Sequence, residues 1–207
     1  MSSRERSTAS ATPRLEIRLP TEQDRERFVA LFCDGDFMQY SAGVLDVDAA
    51  HRRFDEMLVR AAELSFAKQP VIERLSGDIV GYVGVNRFEF DGQQRLEFGY
   101  RLIPEARGKG YATEAGRLVL ERAAETFGGE MLAMIDPTNS ASQNVAEKLG
   151  FVFWKQAMID GAVSNLYRLT ITPRLADPTS TVPGPQGSRG RCSSVVDEAG
   201  PGPLRNS

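Results

Sequence analysis

The chain has one histidine and two cysteines in 207 residues. One histidine cannot build a histidine-rich metal centre, and no metal is expected. Its setting, Asp48-Ala-Ala-His51-Arg-Arg, reads as an exposed helix face rather than a catalytic group. Cys33 and Cys192 fall in segments of very different composition. No disulfide is therefore expected, and the cytoplasm is the default compartment. No apolar run approaches the roughly 18 residues that span a bilayer, so no membrane partner is expected. The stretch Met1 to Pro13 has no apolar segment and does not read as a secretory signal. Charge of one sign is lacking too: 25 Lys and Arg face 28 Asp and Glu, a net −3. That balance argues against a general nucleic-acid binder.

Aromatic residues are missing from residues 174–207, where Pro, Gly and Ser dominate. Such a segment cannot bury enough apolar surface to offset its ordering entropy, and it reads as a disordered tail. Residues 1–13 read the same way. Residues 14–173 remain for a single domain, long enough for a substantial core.

Periodicity lays out that domain. Leu15-Glu-Ile-Arg-Leu19 alternates as a strand. A helix capped by Thr21 carries Phe28, Leu31 and Phe32 on one face. A second helix, about 48–63, places Phe54, Met57, Leu58 and Ala61 at helical spacing. Runs at 66–75 and 79–90 flank Ser76-Gly-Asp78 as a hairpin, and Asp91-Gly92 turns into a strand at 95–103. A helix over about 110–127, a short strand at 131–135 and a helix at 140–149 ending on Gly150 follow. Two strands, 151–159 and 163–172, close on Asp160-Gly161. The order is βααβββαβαββ, an α/β (α+β) arrangement with an antiparallel meander and one parallel strand–helix–strand unit.

The stretch with most chemistry is Gly99-Tyr-Arg-Leu-Ile-Pro-Glu-Ala-Arg-Gly-Lys-Gly-Tyr-Ala112. Small residues at Gly108, Gly110 and Ala112 let backbone N–H groups approach an anion, and a helix N-terminus follows. Arg107 and Lys109 add positive charge. Read alone, the same glycines serve equally as a simple strand-to-helix turn. A Walker A loop is excluded by spacing. A dinucleotide fingerprint is not met, because Thr113 stands where its third glycine belongs.

Arg107-Gly-Lys-Gly-Tyr-Ala112 resembles the acetyl-coenzyme A loop of the GNAT N-acetyltransferases. Asn139-Ser-Ala-Ser-Gln-Asn-Val-Ala-Glu-Lys-Leu-Gly-Phe151 looks like that family's next motif, in the right order and separation. Phe32-Cys-Asp-Gly-Asp-Phe-Met-Gln-Tyr40, Gly77-Asp-Ile-Val-Gly-Tyr-Val-Gly84 and Glu97-Phe-Gly-Tyr100 extend the resemblance to the RimJ/RimL-like branch, over about 14–172.

The resemblance implies a GNAT-type mixed, mostly antiparallel central sheet flanked by about four helices. It implies direct transfer of an acetyl group from acetyl-CoA to a primary amine, either a protein N-terminal α-amine or a small-molecule amine. The protein would act as a monomer or homodimer. By the same resemblance, the strand ending at Leu102 and Ile103 splays from its neighbour, and its free backbone groups hold the pantetheine arm and offer an oxyanion donor. Residues Arg107, Gly108, Lys109, Gly110, Tyr111 and Ala112 hold the pyrophosphate, and Asn139 and Ser142 touch the pantetheine.

The tyrosine acid of many relatives is absent, its place taken by Ala146, which leaves Ser142 as the nearest hydroxyl. Its other role is helix capping, and Ser140 with Gln143 offers an alternative capping box. Glu97, inside a strand between Leu96 and Phe98, is the base candidate; an exposed face or a salt bridge to Arg95 or Arg101 is its structural alternative, and water relaying the proton is an equal alternative for the base. Asn165 and Tyr167 are further candidates to face the site. Asp34, Asp36, Asp46 and Asp48 would suit a cationic amine but read first as caps and turn residues. A non-catalytic acyl-CoA-binding or sensor module on the same fold is the alternative function.

Overall fold

The computed structural model describes residues 10–41 and 43–173. Residues 1–9 of the expected tail at 1–13, and the whole expected tail at 174–207, lie outside those residues. The fold begins earlier than the expected boundary at 14, because β1 (Ser10–Ala11) pairs antiparallel with β2 (Leu15–Ile17). A 3₁₀ turn at Glu22–Asp24 leads into α1 (Arg25–Phe32), and α2 covers Val47–Glu63. Then come β3 (Gln69–Glu73), β4 (Ile79–Phe90) and β5 (Gln93–Leu102). After a 3₁₀ turn at Pro104–Ala106 follow α3 (Tyr111–Thr126), β6 (Gly129–Ile135), α4 (Ser140–Lys148), β7 (Val152–Ile159) and β8 (Ala162–Ile171). The expected order holds, with β1 added in front.

Local chemistry accounts for these elements. The Asp46 carboxylate caps α2 by accepting from the Ala49 N–H at 2.7 Å. Ala50, Phe54, Met57 and Ala61 then form its buried stripe. The two hairpin Asp-Gly pairs adopt positive φ, 52° and 68° at Asp91 and Gly92, 49° and 82° at Asp160 and Gly161. Two positive φ values in succession match the twist of a tight hairpin. The expected strand at 66–75 shortens to β3, and Phe66 instead accepts from the Val85 N–H at 3.0 Å.

The eight strands form one sheet in the order β1-β2-β3-β4-β5-β6-β8-β7. Among the named strands only β5 and β6 pair parallel, and they are joined through α3. One core lies under α3 and α4, with Phe98, Val119, Met131, Leu149 and Phe151. The other joins α1 and α2 to Tyr82, through Phe28, Phe32, Phe37 and Phe54. No described helix is long and apolar enough to cross a membrane.

Candidate active site

The parallel pairing of β5 and β6 spans only Leu96↔Met131 and Glu97↔Leu132. Beyond it β5 continues to Leu102 bound only to β4, and β6 continues to Ile135 bound only to β8. The sheet therefore opens between its two central strands. On β5 the Ile103 N–H donates to the Val80 carbonyl at 2.9 Å. Antiparallel ladders alternate, so Tyr100 and Leu102 turn their N–H groups away from β4, into the opening. Leu102 thus presents a donor where expected. Ile103 does not: its N–H is already spent on the ladder.

At the same end of β5 lies the glycine loop. Gly108 and Gly110 take φ of 72° and 82°. None of the N–H groups of residues 108–113 is bonded to an acceptor among the described residues. Such a row at a helix N-terminus, with a left-handed residue as the N-cap, is an anion cradle. Gly110 is required by its backbone angle rather than by crowding: a Cβ there would meet only Arg14 Nη2, at 3.7 Å.

Two expected side chains point elsewhere. Arg107 donates from Nε to the Leu102 carbonyl at 3.1 Å and from Nη2 to the Asp36 carbonyl at 2.6 Å. It ties the loop before α2 to the strand end, because those carbonyls have no ladder partner. Tyr111 is buried and donates its hydroxyl to Glu73 at 2.6 Å, which leaves its backbone N–H for the cradle. Lys109 is half exposed, 3.8 Å from Glu73. Arg14, which carries no motif signal, pairs with Glu114 and donates to the Lys109 carbonyl at 2.9 Å. It thereby covers the one carboxylate in the first turn of α3.

Across the opening, Asn139 caps α4, its side-chain oxygen accepting from the Ser142 N–H at 3.0 Å. The expected Ser140–Gln143 capping box is not formed; Gln143 donates to the Pro137 carbonyl instead, at 2.9 Å. The Ser142 hydroxyl is therefore free of capping, and it lies 3.1 Å from the Tyr100 hydroxyl. Burial pushes the Tyr100 phenol above its ordinary value. Ala146 is buried.

On the opposite face of β5, Glu97 lies 3.5 Å from Lys68 Nζ, both side chains largely buried. Neither expected partner holds it: Arg95 pairs with Glu130 at 2.9 Å, and Arg101 donates to Ser41 Oγ at 2.6 Å. Turned so that its oxygen faces Lys68, the Asn86 amide accepts from Nζ at 3.0 Å. Tyr167 is buried against Phe153 and donates to Gln143 at 3.3 Å; Asn165 accepts from Gln156 at 2.9 Å. Both lie on β8, away from Glu97. Among the described residues no three His, Cys, Asp or Glu side chains are grouped to hold a metal ion.

An opened parallel pair beside a row of free amides is a site for an extended ligand ending in an anion. A family model described as an acetyltransferase (GNAT) domain matches residues 14–152. The chain belongs to the GNAT acetyltransferase family. The uncharacterised protein YkkB of Bacillus subtilis is 30% identical over 150 residues, 72% of this chain and 87% of that one. Three solved structures share this GNAT fold. A GNAT-family acetyltransferase of Bacillus anthracis matches with TM-score 0.64 and 23% identity, covering 79% of this chain and 98% of that one. The ribosomal-protein-S5-alanine acetyltransferase of Vibrio fischeri gives 0.61 and 19%, covering 79% and 96%. The microcin C7 self-immunity acetyltransferase MccE, in complex with acetyl-CoA and AMP, gives 0.63 and 17%, covering 77% and 94%.

Proposed function

We propose that this GNAT protein transfers an acetyl group from acetyl-CoA directly to a primary amine, within a catalytic domain at residues 14–173, in the cytoplasm. The observation that carries the reading is the opening between β5 and β6, which leads from the N–H groups of Tyr100 and Leu102 to the unbonded amides of residues 108–113. Those amides fit a pyrophosphate, and the strand edge fits an extended amide-bearing arm. Acetyl-CoA, when bound, supplies an acetyl group activated as a thioester.

The chain's own residues then have distinct tasks. The cradle and the Asn139-capped start of α4 fix the two ends of the cofactor. A backbone N–H in the opening, Tyr100 or Leu102, meets negative charge developing on the thioester oxygen. The Tyr100 and Ser142 hydroxyls share one hydrogen bond, and in the orientation where Tyr100 donates, the serine hydrogen is left to point at the departing sulfur. A thiol of pKa near 8.5 needs little more help than that. Glu97 accepts the proton of the incoming amine. Its task is light for an α-amine, with a pKa near 8, and heavier for a lysine near 10.4.

The RimJ/RimL-like motif blocks support protein N-termini as the first acceptors to test. N-terminal peptides, polyamines, amino acids and aminoglycosides offered with acetyl-CoA, with release of free thiol as the readout, test the reading. Acceptor-dependent thiol release is expected. Tight acetyl-CoA binding with no release on any amine would mark the protein as an acyl-CoA sensor instead.

A further inference from the structure

Between α2 and the inner strands lies a shallow groove open to solvent. Its floor is apolar, with Phe32, Met57 and Tyr82. Its outer wall is one face of α2, which places Arg53, Glu56 and Arg60 at successive turns. Its inner end holds Lys68 and Asn86. Beside them, the Glu97 carboxylate lies over Gly99: a Cβ on that glycine would stand 3.0 Å from Glu97 Oε1 and 3.6 Å from Lys68 Nζ. Gly99 is one residue from Tyr100, whose N–H faces the opening in the sheet. Lys68, which lines the pocket, thus joins it to the carboxylate proposed to take the proton of the amine.

The charges favour one kind of occupant. Lys68 is matched by Glu97 at 3.5 Å. The two guanidiniums of the outer wall share a single carboxylate, Glu56, at 3.3 Å from Arg53 and 3.6 Å from Arg60. Each guanidinium has five N–H donors, so most of them have no partner among the described residues. Two of the four acids that would have suited a cationic substrate act as caps. Asp34 accepts from the Phe37 N–H and Asp46 from the Ala49 N–H, each at 2.7 Å.

We propose that this pocket selects an amine acceptor that also carries a carboxylate: the amino group reaches Glu97, the apolar floor takes the intervening carbons, and Arg53 with Arg60 binds the carboxylate. The proposal rests on the acetyltransferase reading and narrows its substrate class. The planar guanidinium fork suits a carboxylate better than any neutral group of the same size.

Calorimetry on the full chain saturated with CoA tests it. The probes are the dipeptide Ala-Glu and its neutral counterpart Ala-Gln-amide, then free glutamate and glutamine amide. The acidic member of at least one pair is expected to bind about fivefold tighter or more, as partly exposed ion pairs allow. The pair that shows it tells a peptide N-terminus from a free amino acid. The acid-to-neutral ratio should fall toward one in the double variant Arg53→Gln/Arg60→Gln. It should rise in Glu56→Gln, which releases both guanidiniums, and shrink with added salt. Equal affinity within both pairs, no binding by either acid, or a ratio unmoved by the double variant overturns the proposal while CoA still binds. Failure of CoA itself to bind overturns the acetyltransferase reading and this proposal with it.

Discussion

Gly110→Ala separates the cradle from the general stability of the fold. Gly110 sits at φ 82° as the N-cap of α3. An added methyl meets Arg14 Nη2 at 3.7 Å, an ordinary contact, so crowding contributes nothing. The cost is that of holding a residue with a Cβ in the left-handed region, roughly 1–2 kcal/mol. In a domain of this size that lowers Tm by about 2–4 °C per kcal/mol. The chain escapes the strain by rotating the peptide planes on either side of residue 110. That rotation takes two of the converging N–H groups off the anion. Hydrogen bonds to a charged group are worth about 1.5–3 kcal/mol each, so even partial loss of two weakens acetyl-CoA binding on the order of a hundredfold. Gly92→Ala is the matched control. Gly92 has a similar φ, 68°, and open space around it, at the tip of a hairpin remote from the cradle. Calorimetry and thermal melts on both variants should show equal losses of stability and a loss of affinity in Gly110→Ala alone. Affinity within twofold of wild type in a destabilised Gly110→Ala would refute the cradle.

Glu97→Gln should lower kcat, leave acetyl-CoA affinity intact and regain part of its rate at alkaline pH, where the amine deprotonates unaided. Wild-type turnover across about pH 6 to 9 would return deprotonation to water. Tyr100→Phe should lower kcat severalfold at constant acetyl-CoA affinity, because it removes only the hydroxyl that orients Ser142. Ser142→Ala should raise the cofactor Kd about tenfold if the serine mainly holds the ligand, or lower kcat alone if it serves as the acid. Burial alone would raise the Asp24 carboxyl, but two 2.7 Å bonds from Arg18 and one from the Thr21 N–H hold it below the ordinary range. Its stabilisation is therefore complete above the unfolded-state value near 3.9 and is lost as pH falls through the lower folded value. Asp24→Asn should flatten the acid limb of a denaturation curve; an unchanged acid limb would show that other carboxylates govern it.

Local chemistry made much of the fold legible. The Asp-Gly hairpins, the Asp46-capped α2 and the stop at Gly150 depend on neighbours within a few residues, and they stand where periodicity and turn chemistry place them. The glycine loop was legible for the same reason, since positive φ and free amides are properties of a short stretch. The opening between β5 and β6 was not: it depends on where a parallel pairing ends, and only the family resemblance implied it. Pairings across the sheet were equally hidden. Lys68 stands in an unremarkable Phe66-Ala-Lys-Gln69, and nothing local marks it as the partner of Glu97. Arg107 shows the reverse case. Its motif position suggested a phosphate contact, yet two unpaired carbonyls within reach claimed its guanidinium.

Arg101 and Arg107 both leave the end of β5 and grip residues 36–41, through the Asp36 carbonyl, Met38 Sδ and Ser41 Oγ. A strand whose other edge is proposed to receive the cofactor is thus bolted to the segment whose Phe37 packs against Tyr82, a residue that lines the proposed acceptor pocket. Filling the edge fixes the strand, and the bolts carry that fixity across the sheet. The kinetic consequence is an order of addition, acetyl-CoA before amine. In steady-state work, CoA would then compete with acetyl-CoA but act noncompetitively toward the amine.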